Sequence, residues 1–72
     1  MKSVKYGIVI EKSEHNCSAY VPDLPGCIAT GATVEDTKER ITEAIRLHLN
    51  GMREDGEAIP LPNTVCDCVE VA

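Results

Sequence analysis

The fold of this chain of 72 residues depends on one stretch, Val21-Pro-Asp-Leu-Pro-Gly-Cys-Ile-Ala-Thr-Gly31. A proline fixes its own φ angle and keeps the residue before it out of the helical region, so Pro22 and Pro25 make the start of the stretch rigid. Gly26 can adopt the positive φ angle that a tight turn requires, and Leu24 is placed to anchor the turn on a core. We predict a rigid connection from one strand to the next. A well-defined turn without chemistry is the simplest interpretation of it.

Alternation of apolar and polar residues predicts strands on both sides of this connection. The four predicted strands are the segment with Val4, Tyr6, Ile8 and Ile10 on one face, Cys17 to Val21, Cys27 to Thr30, and Val65 to Val71. Asp67 interrupts the pattern of the last strand, which indicates a position at or near the edge of a sheet.

Between the third and fourth strands, the sequence predicts one long helix from Val34 to Glu54. Thr33 is a good N-cap because its hydroxyl can accept hydrogen bonds from the free backbone N–H groups of the first turn. Gly56 is a natural residue to follow the last turn, since it can adopt the left-handed conformation there. The apolar residues recur at spacings of three, four and seven, which predicts a stripe packed on a sheet. They are Val34, Ile41, Ala44, Ile45, Leu49 and Met52.

This order of elements predicts an α+β fold, β-β-β-α-β, in a single domain that spans residues 1–72. The first three strands can form an antiparallel meander, and a helix of about 21 residues, roughly 31 Å long, can carry the chain back across the sheet. A right-handed crossover then places the fourth strand beside the first. We expect a four-stranded mixed sheet of order 3-2-1-4, with the helix on one face and the other face uncovered.

The composition favours an acidic protein that binds another protein. The net charge is −5 at pH 7, whereas binding of bare DNA or RNA usually needs a basic face. No apolar run approaches the roughly 20 residues that span a bilayer, and the N-terminus has no signal-peptide core. We therefore expect a cytoplasmic protein without a nucleic-acid or membrane partner. Because the core is small and aliphatic, we expect a homodimer or a higher homo-oligomer to complete it.

Few residues are candidates for chemistry. Cys66 and Cys68 would share one face of the last strand with Cα atoms about 6.5–7 Å apart, the outer limit for a disulfide, and small buried residues are the simplest interpretation. His48 beside the apolar stripe is interpreted as a partly buried histidine, with an interface or proton-sensitive role as the alternative. Clustered carboxylates can hold two metal ions in a nuclease, but Glu11 and Glu70 at strand ends are more typical of a soluble sheet edge. We expect no catalytic residue, metal site or cofactor.

Motifs along nearly the whole chain resemble the HicB-like family of antitoxins. The resemblance is carried by the run Tyr20-Val-Pro-Asp-Leu-Pro-Gly-Cys27, by Thr30-Gly-Ala-Thr33 at the helix start, and by Ile59-Pro-Leu-Pro62 after the helix. Glu43-Ala-Ile45 and Gly56 also fit the family pattern. The resemblance implies a partial RNase H-like arrangement of the sheet and helix.

The resemblance also implies an antitoxin of a toxin–antitoxin pair. Its partner would be a small basic HicA-like toxin, an mRNA-cleaving enzyme of double-stranded-RNA-binding fold with a catalytic histidine. We expect the acidic chain to act as an RNase inhibitor that covers the RNA-facing active surface of the toxin. The residues expected at this interface are Pro22, Asp23, Leu24, Pro25, Gly26, Glu35 and Asp36. For Asp23, capping of its own turn is an equal alternative.

Many members of this family carry a second, C-terminal DNA-binding domain that represses their own operon. Nothing in this sequence up to Ala72 resembles a helix-turn-helix or a ribbon-helix-helix, so operator binding is not carried over from the family. The alternative function is a stand-alone, non-catalytic binding or regulatory module that uses the open sheet face or the cleft beside the connection. A small basic reading frame beside this one would favour the antitoxin.

Overall fold

The computed structural model describes residues 4–72, which form a three-stranded antiparallel sheet and one long helix. The strands are β1 (Val9–Lys12), β2 (Cys17–Tyr20) and β3 (Ile28–Gly31), and the helix α1 is Val34–Glu54. The sheet order is β1-β2-β3, so the α+β class and the antiparallel meander are confirmed. The first three residues of the predicted domain lie outside the described part of the chain.

The connection between β2 and β3 consists of two successive β-turns. The Leu24 N–H donates to the Val21 carbonyl and the Cys27 N–H to the Leu24 carbonyl, both at 3.0 Å. Each turn therefore has a proline at its second position, as types I and II favour. Gly26 is the third residue of the second turn and has a φ angle of 85°, which is the conformation that type II requires. The two turns bury Leu24 almost completely, at 1% exposure.

The helix α1 begins and ends where the sequence predicts. The Thr33 hydroxyl accepts a hydrogen bond from the Asp36 N–H at 3.0 Å, which satisfies one free donor of the first turn. At the other end, Gly56 has a φ angle of 73°. The N–H groups of Gly56 and Glu57 donate to carbonyls of the last turn at 3.1 and 2.8 Å. This pair of bonds is a Schellman motif, which needs a left-handed residue at Gly56.

One face of the sheet packs against α1. Ala19 of β2 pairs with Ile10 of β1 and with Ala29 of β3, and directly opposed residues share a face of the sheet. The buried apolar side chains are Cys17, Ala19, Val21, Leu24, Cys27 and Ile41. The opposite face is uncovered, since Tyr20 and Ile28 on it are 43% and 70% exposed.

The start of α1 lies close against the end of β3. Thr37 is fully buried, and its hydroxyl donates to the Thr33 carbonyl at 2.7 Å. A Cβ atom added to Gly31 would lie 2.7 Å from the Thr37 hydroxyl oxygen and 2.8 Å from the Thr37 backbone nitrogen. Glycine is therefore required at position 31 by lack of space.

The predicted fourth strand is wrong, and with it the four-stranded mixed sheet of order 3-2-1-4. The part of the chain after α1, residues 57–72, is here called the C-terminal segment, and it contains neither helix nor strand. It passes beside the residues just before β1, where Cys66 Sγ is 3.9 Å from the Ile8 carbonyl oxygen.

Side-chain hydrogen bonds and prolines occupy the backbone in and before the predicted fourth strand. The backbone N–H groups of Asn63 and Thr64 donate to the carboxylate of Asp23, so they are not available to a neighbouring strand. Pro60 and Pro62 have no N–H to donate. These residues lead into the predicted strand Val65 to Val71. Within it, the Cys68 N–H donates to the Asp67 carboxylate at 2.8 Å, which removes a donor from a parallel ladder with β1.

The first strand is also shorter than predicted. Register places Val9 opposite Tyr20, and beyond Tyr20 the chain leaves β2 to enter the connection. Residues before Val9 therefore have no partner strand. Tyr6 and Ile8 still pack on the core as predicted from their alternation.

Candidate partner-binding surface

The residues predicted for a partner interface fall into two groups at opposite ends of β3. Residues 22–26 lead into β3, and the acidic pair Glu35 and Asp36 follows its exit. Four residues of strand span about 13 Å at roughly 3.3 Å each. The structure therefore does not bring the two groups together, but it places both beside the same strand.

Within the connection, some residues are exposed to a partner and one residue anchors the turns on the core. Pro22, Pro25 and Gly26 are exposed, whereas Leu24 belongs to the core. The exposed residues form a rigid tip that a partner can contact. Leu24 acts on that tip only by holding it in place.

Asp23 joins the connection to the C-terminal segment. Its Oδ2 accepts hydrogen bonds from the backbone N–H groups of Asn63 and Thr64, and its Oδ1 accepts one from the Thr64 hydroxyl, all at 3.2 Å. In the described residues, these bonds reach across about 40 positions of sequence rather than capping the turn of Asp23 itself. The sequence pattern gave no signal for this contact, because Thr64 is distant in the chain.

Glu35 and Asp36 lie exposed in the first turn of α1. Their carboxylates are favoured there by the positive end of the helix dipole. Asp36 also lines a groove between the outer edge of β3 and the flank of α1, here called the edge groove, with a volume of about 620 Å³.

The edge groove combines acidic and apolar side chains. Glu39 and Glu43 of α1 line it together with Arg40 and Asp36. Ile28 and Leu47 also line it, at 70% and 71% exposure. Ile28 and Leu47 are not among the residues predicted for the interface, but Leu47 fits the apolar stripe least well of the apolar helix residues, which favours a second contact for it, for example with another subunit. Its position off the stripe was the available signal.

The other flank of α1 carries the opposite charge. A second groove of about 740 Å³ lies between this flank and the residues that precede β1. Its charged lining residues are all basic, namely Lys5, Lys38, Arg46 and Arg53. The helix therefore separates its charges, with acids toward β3 and bases toward β1.

The cysteines divide into a buried and an exposed pair. Cys66 and Cys68 are exposed, so the interpretation of them as buried residues is wrong. Cys17 and Cys27 are buried instead, and burial raises the pKa of the Cys27 thiol above its ordinary value. A buried neutral thiol is a small apolar residue and a poor nucleophile.

Metal and membrane features can be assessed over the part of the chain that the structure describes. Within residues 4–72, no three His, Cys, Asp or Glu side chains are grouped so that they could hold a metal ion. Over the same residues, no helix has both the length and the apolar character of a membrane span. His48 lies half-buried on α1.

A comparison with known protein families identifies the family to which this fold belongs. A family model described as the HicB-like antitoxin of bacterial toxin–antitoxin systems matches residues 6–71. The chain belongs to the HicB-like antitoxin family. The match includes the connection, α1 and the C-terminal segment, so the resemblance seen in the motifs is confirmed.

Relatives in this family come from a phage, bacteria and archaea. An uncharacterized 14.9 kDa protein of Haemophilus phage HP1 is 40% identical over 60 residues, which are 83% of this chain and 45% of the relative. The chain thus spans less than half of that phage protein. A UPF0150 protein of Helicobacter pylori is 38% identical over 65 residues, or 89% of this chain and 90% of the relative. One from Archaeoglobus fulgidus is 42% identical over 59 residues, or 78% and 86%.

A solved structure shares the fold. It is described as the HicA3 and HicB3 toxin–antitoxin complex, and one of its chains matches with a TM-score of 0.70 and 30% identity. The match covers 83% of this chain and 70% of that chain. The three antiparallel strands followed by one long helix are therefore a HicB-like arrangement.

Proposed function

We propose that this HicB-like chain is a cytoplasmic antitoxin that binds a small basic HicA-like toxin and silences its mRNA cleavage by covering the RNA-facing active surface. The chain itself is non-catalytic in this proposal. The observation that carries the proposal is the likeness, over 83% of the chain, to a chain of a HicA3 and HicB3 toxin–antitoxin complex.

Charge supports a basic partner. The chain has a net charge of −5, and the acids Glu35 and Asp36 are exposed at the positive end of α1. Opposite charges accelerate the encounter of two proteins and orient them. A basic RNA-binding surface on the toxin is the kind of surface that such an acidic patch attracts.

The two predicted groups of interface residues contribute in different ways. In our proposal, the rigid tip formed by Pro22, Pro25 and Gly26 contacts the toxin at one end of β3, and Glu35 and Asp36 contact it at the other end. A toxin lying along β3 reaches both groups. Asp23 and Leu24 support the tip, because the carboxylate of Asp23 is occupied by the C-terminal segment and Leu24 is buried.

Co-expression with the neighbouring reading frames tests the proposal. We expect a tagged copy of this chain to purify in a stoichiometric complex with a small basic RNase that it keeps inactive. Reversing the charges of Glu35 and Asp36 to lysine should weaken the complex about tenfold and reduce its dependence on salt. The matched control reverses Glu54, the last residue of α1, and Glu57, just beyond its end, and should leave affinity unchanged. Equal affinity for both double variants would contradict the electrostatic part.

A stand-alone binding module is the second candidate function. The observation that favours it is the uncovered sheet face, where Tyr20 and Ile28 are exposed beside a shallow depression of about 390 Å³. If this chain purifies without a toxin from co-expression with both neighbouring frames, the module replaces the antitoxin. The family membership then describes the fold alone.

We also propose that the chain self-associates through residues 65–71, the apolar end of the C-terminal segment. Val65, Val69 and Val71 are 87%, 88% and 85% exposed, and burial of such side chains in a second copy would stabilise an oligomer. Light scattering after size exclusion should give a mass above that of one chain. The double variant Val69→Asp and Val71→Asp should return the mass to that of a monomer, and an unchanged mass would contradict this site.

A further inference from the structure

The outer edge of β3 is open for pairing. In the sheet formed by the described residues, β3 pairs with β2 on one side only. Edge strands are usually protected by prolines or charged side chains, but β3 consists of Ile28-Ala-Thr-Gly31 and has neither. Its free N–H and C=O groups can therefore accept an extended segment of another protein.

Apolar side chains flank this open edge. Ile28 and Leu47 line the same edge groove and are 70% and 71% exposed. Leu47 comes from α1 on the covered side of the sheet and Ile28 projects from β3 on the uncovered side, so the open edge has an exposed apolar side chain on each of its two sides. A partner segment paired with β3 can bury both side chains.

Charge selects the kind of partner. Three carboxylates, of Asp36, Glu39 and Glu43, line the edge groove with one guanidinium, of Arg40, although Glu43 also pairs with Arg46. Two-fold pairing of β3 with a second copy would bring these acidic flanks against each other, which is unfavourable. A basic protein is instead attracted to this acidic side, and it is repelled by the basic groove on the other flank of α1.

We infer that the outer edge of β3 and the edge groove form the docking site for the basic toxin, which adds an extended segment to the sheet at β3. The segment buries Ile28 and Leu47, and its lysine or arginine side chains lie against Asp36 and Glu39. This inference rests on the proposed antitoxin function and names the surface that performs it. It also explains how one partner reaches both ends of β3.

The test compares two leucines of similar exposure. Leu47→Asp changes the edge groove, and Leu61→Asp makes the same change at a side chain that is 82% exposed in the C-terminal segment. Affinity is measured against the purified small basic product of the adjacent reading frame, with its catalytic histidine replaced. We expect Leu47→Asp to weaken binding at least about 30-fold, as for a central interface residue, and Leu61→Asp to leave it within about twofold.

A second pair of variants tests the contribution of charge, and thermal melts check that every variant is folded. Glu39→Lys should weaken binding about tenfold and lower its salt dependence, whereas Glu57→Lys should not. Circular dichroism melts of all four variants establish that they are folded. If the unaltered chain does not bind the basic product, the proposed function fails and this inference with it. If the unaltered chain binds and Leu47→Asp binds equally well, the inference is overturned while the function stands.

Discussion

At the scale of single residues, Asp23 links parts of the chain that are distant in sequence. Its carboxylate accepts three hydrogen bonds from Asn63 and Thr64. The Tyr6 hydroxyl donates to the Pro60 carbonyl and makes a second attachment. The C-terminal segment is therefore held by two polar contacts near its start, while its last residues are exposed.

Replacing Asp23 with alanine should release this attachment. Hydrogen bonds to a charged group contribute more than neutral ones, and we expect Asp23→Ala to lower the free energy of unfolding by about 2 kcal/mol. The N–H groups of Asn63 and Thr64 should exchange with deuterium faster, as NMR can measure. Glu57→Ala is the control and should change stability by less than about 0.5 kcal/mol. Unaltered exchange at Asn63 and Thr64 in Asp23→Ala would show that the contact is not formed in solution.

Replacing glycine with alanine is expected to have opposite effects on stability at two positions, Gly31 and Gly51. Gly31→Ala would place a Cβ atom 2.7 Å from the Thr37 hydroxyl and 2.8 Å from its backbone nitrogen, so we expect a loss of about 1–3 kcal/mol from overpacking. Gly51 lies within α1 with open space around it. Gly51→Ala should therefore raise the free energy of unfolding by about 1 kcal/mol. Urea denaturation measures both values, and shifts of the same sign would contradict the packing described at Gly31.

At the scale of elements, local sequence signals were sufficient to predict α1 and the connection, whereas the conformation of the C-terminal segment depends on long-range contacts. The N-cap at Thr33 and the left-handed Gly56 act within one turn of the helix ends, so the sequence pattern was sufficient for both boundaries. The connection is likewise local, since a proline or glycine at a given turn position fixes its type. The last predicted strand, Val65 to Val71, does not form: Asp23, about 40 residues away, holds the residues that lead into it, and within it the Cys68 N–H donates to the Asp67 carboxylate.

The candidate site was predictable only in part for the same reason. The connection and the acids Glu35 and Asp36 were identified from motifs and from their place beside the helix start. The edge groove was not, because it exists only once α1 packs beside β3 and places Leu47 and the helix acids along the strand edge. A helix residue off the apolar stripe is a local sign of such a contact, but its partner is set by tertiary packing.

At the scale of the whole molecule, the side of the sheet at β3 differs from the side at β1 in charge and in exposed surface. In the described residues, the β3 side combines a strand edge without a partner with acids of α1, whereas the flank of α1 toward β1 carries bases. The C-terminal segment beyond β1 contains acids and no base. In the proposed function, the net charge of −5 favours association with a basic partner, and the acids of α1 on the β3 flank orient that partner. This asymmetry is the feature of the fold that best fits recognition of one small basic toxin.

The central claim is that this chain silences an RNase by binding it. The most direct measurement is the rate at which the purified product of the adjacent reading frame cleaves mRNA, titrated with molar equivalents of this chain. The account predicts that cleavage falls to background near one equivalent, and that the same amount of Leu47→Asp leaves most of the activity. Cleavage that continues unchanged at a large excess of the unaltered chain would contradict the account.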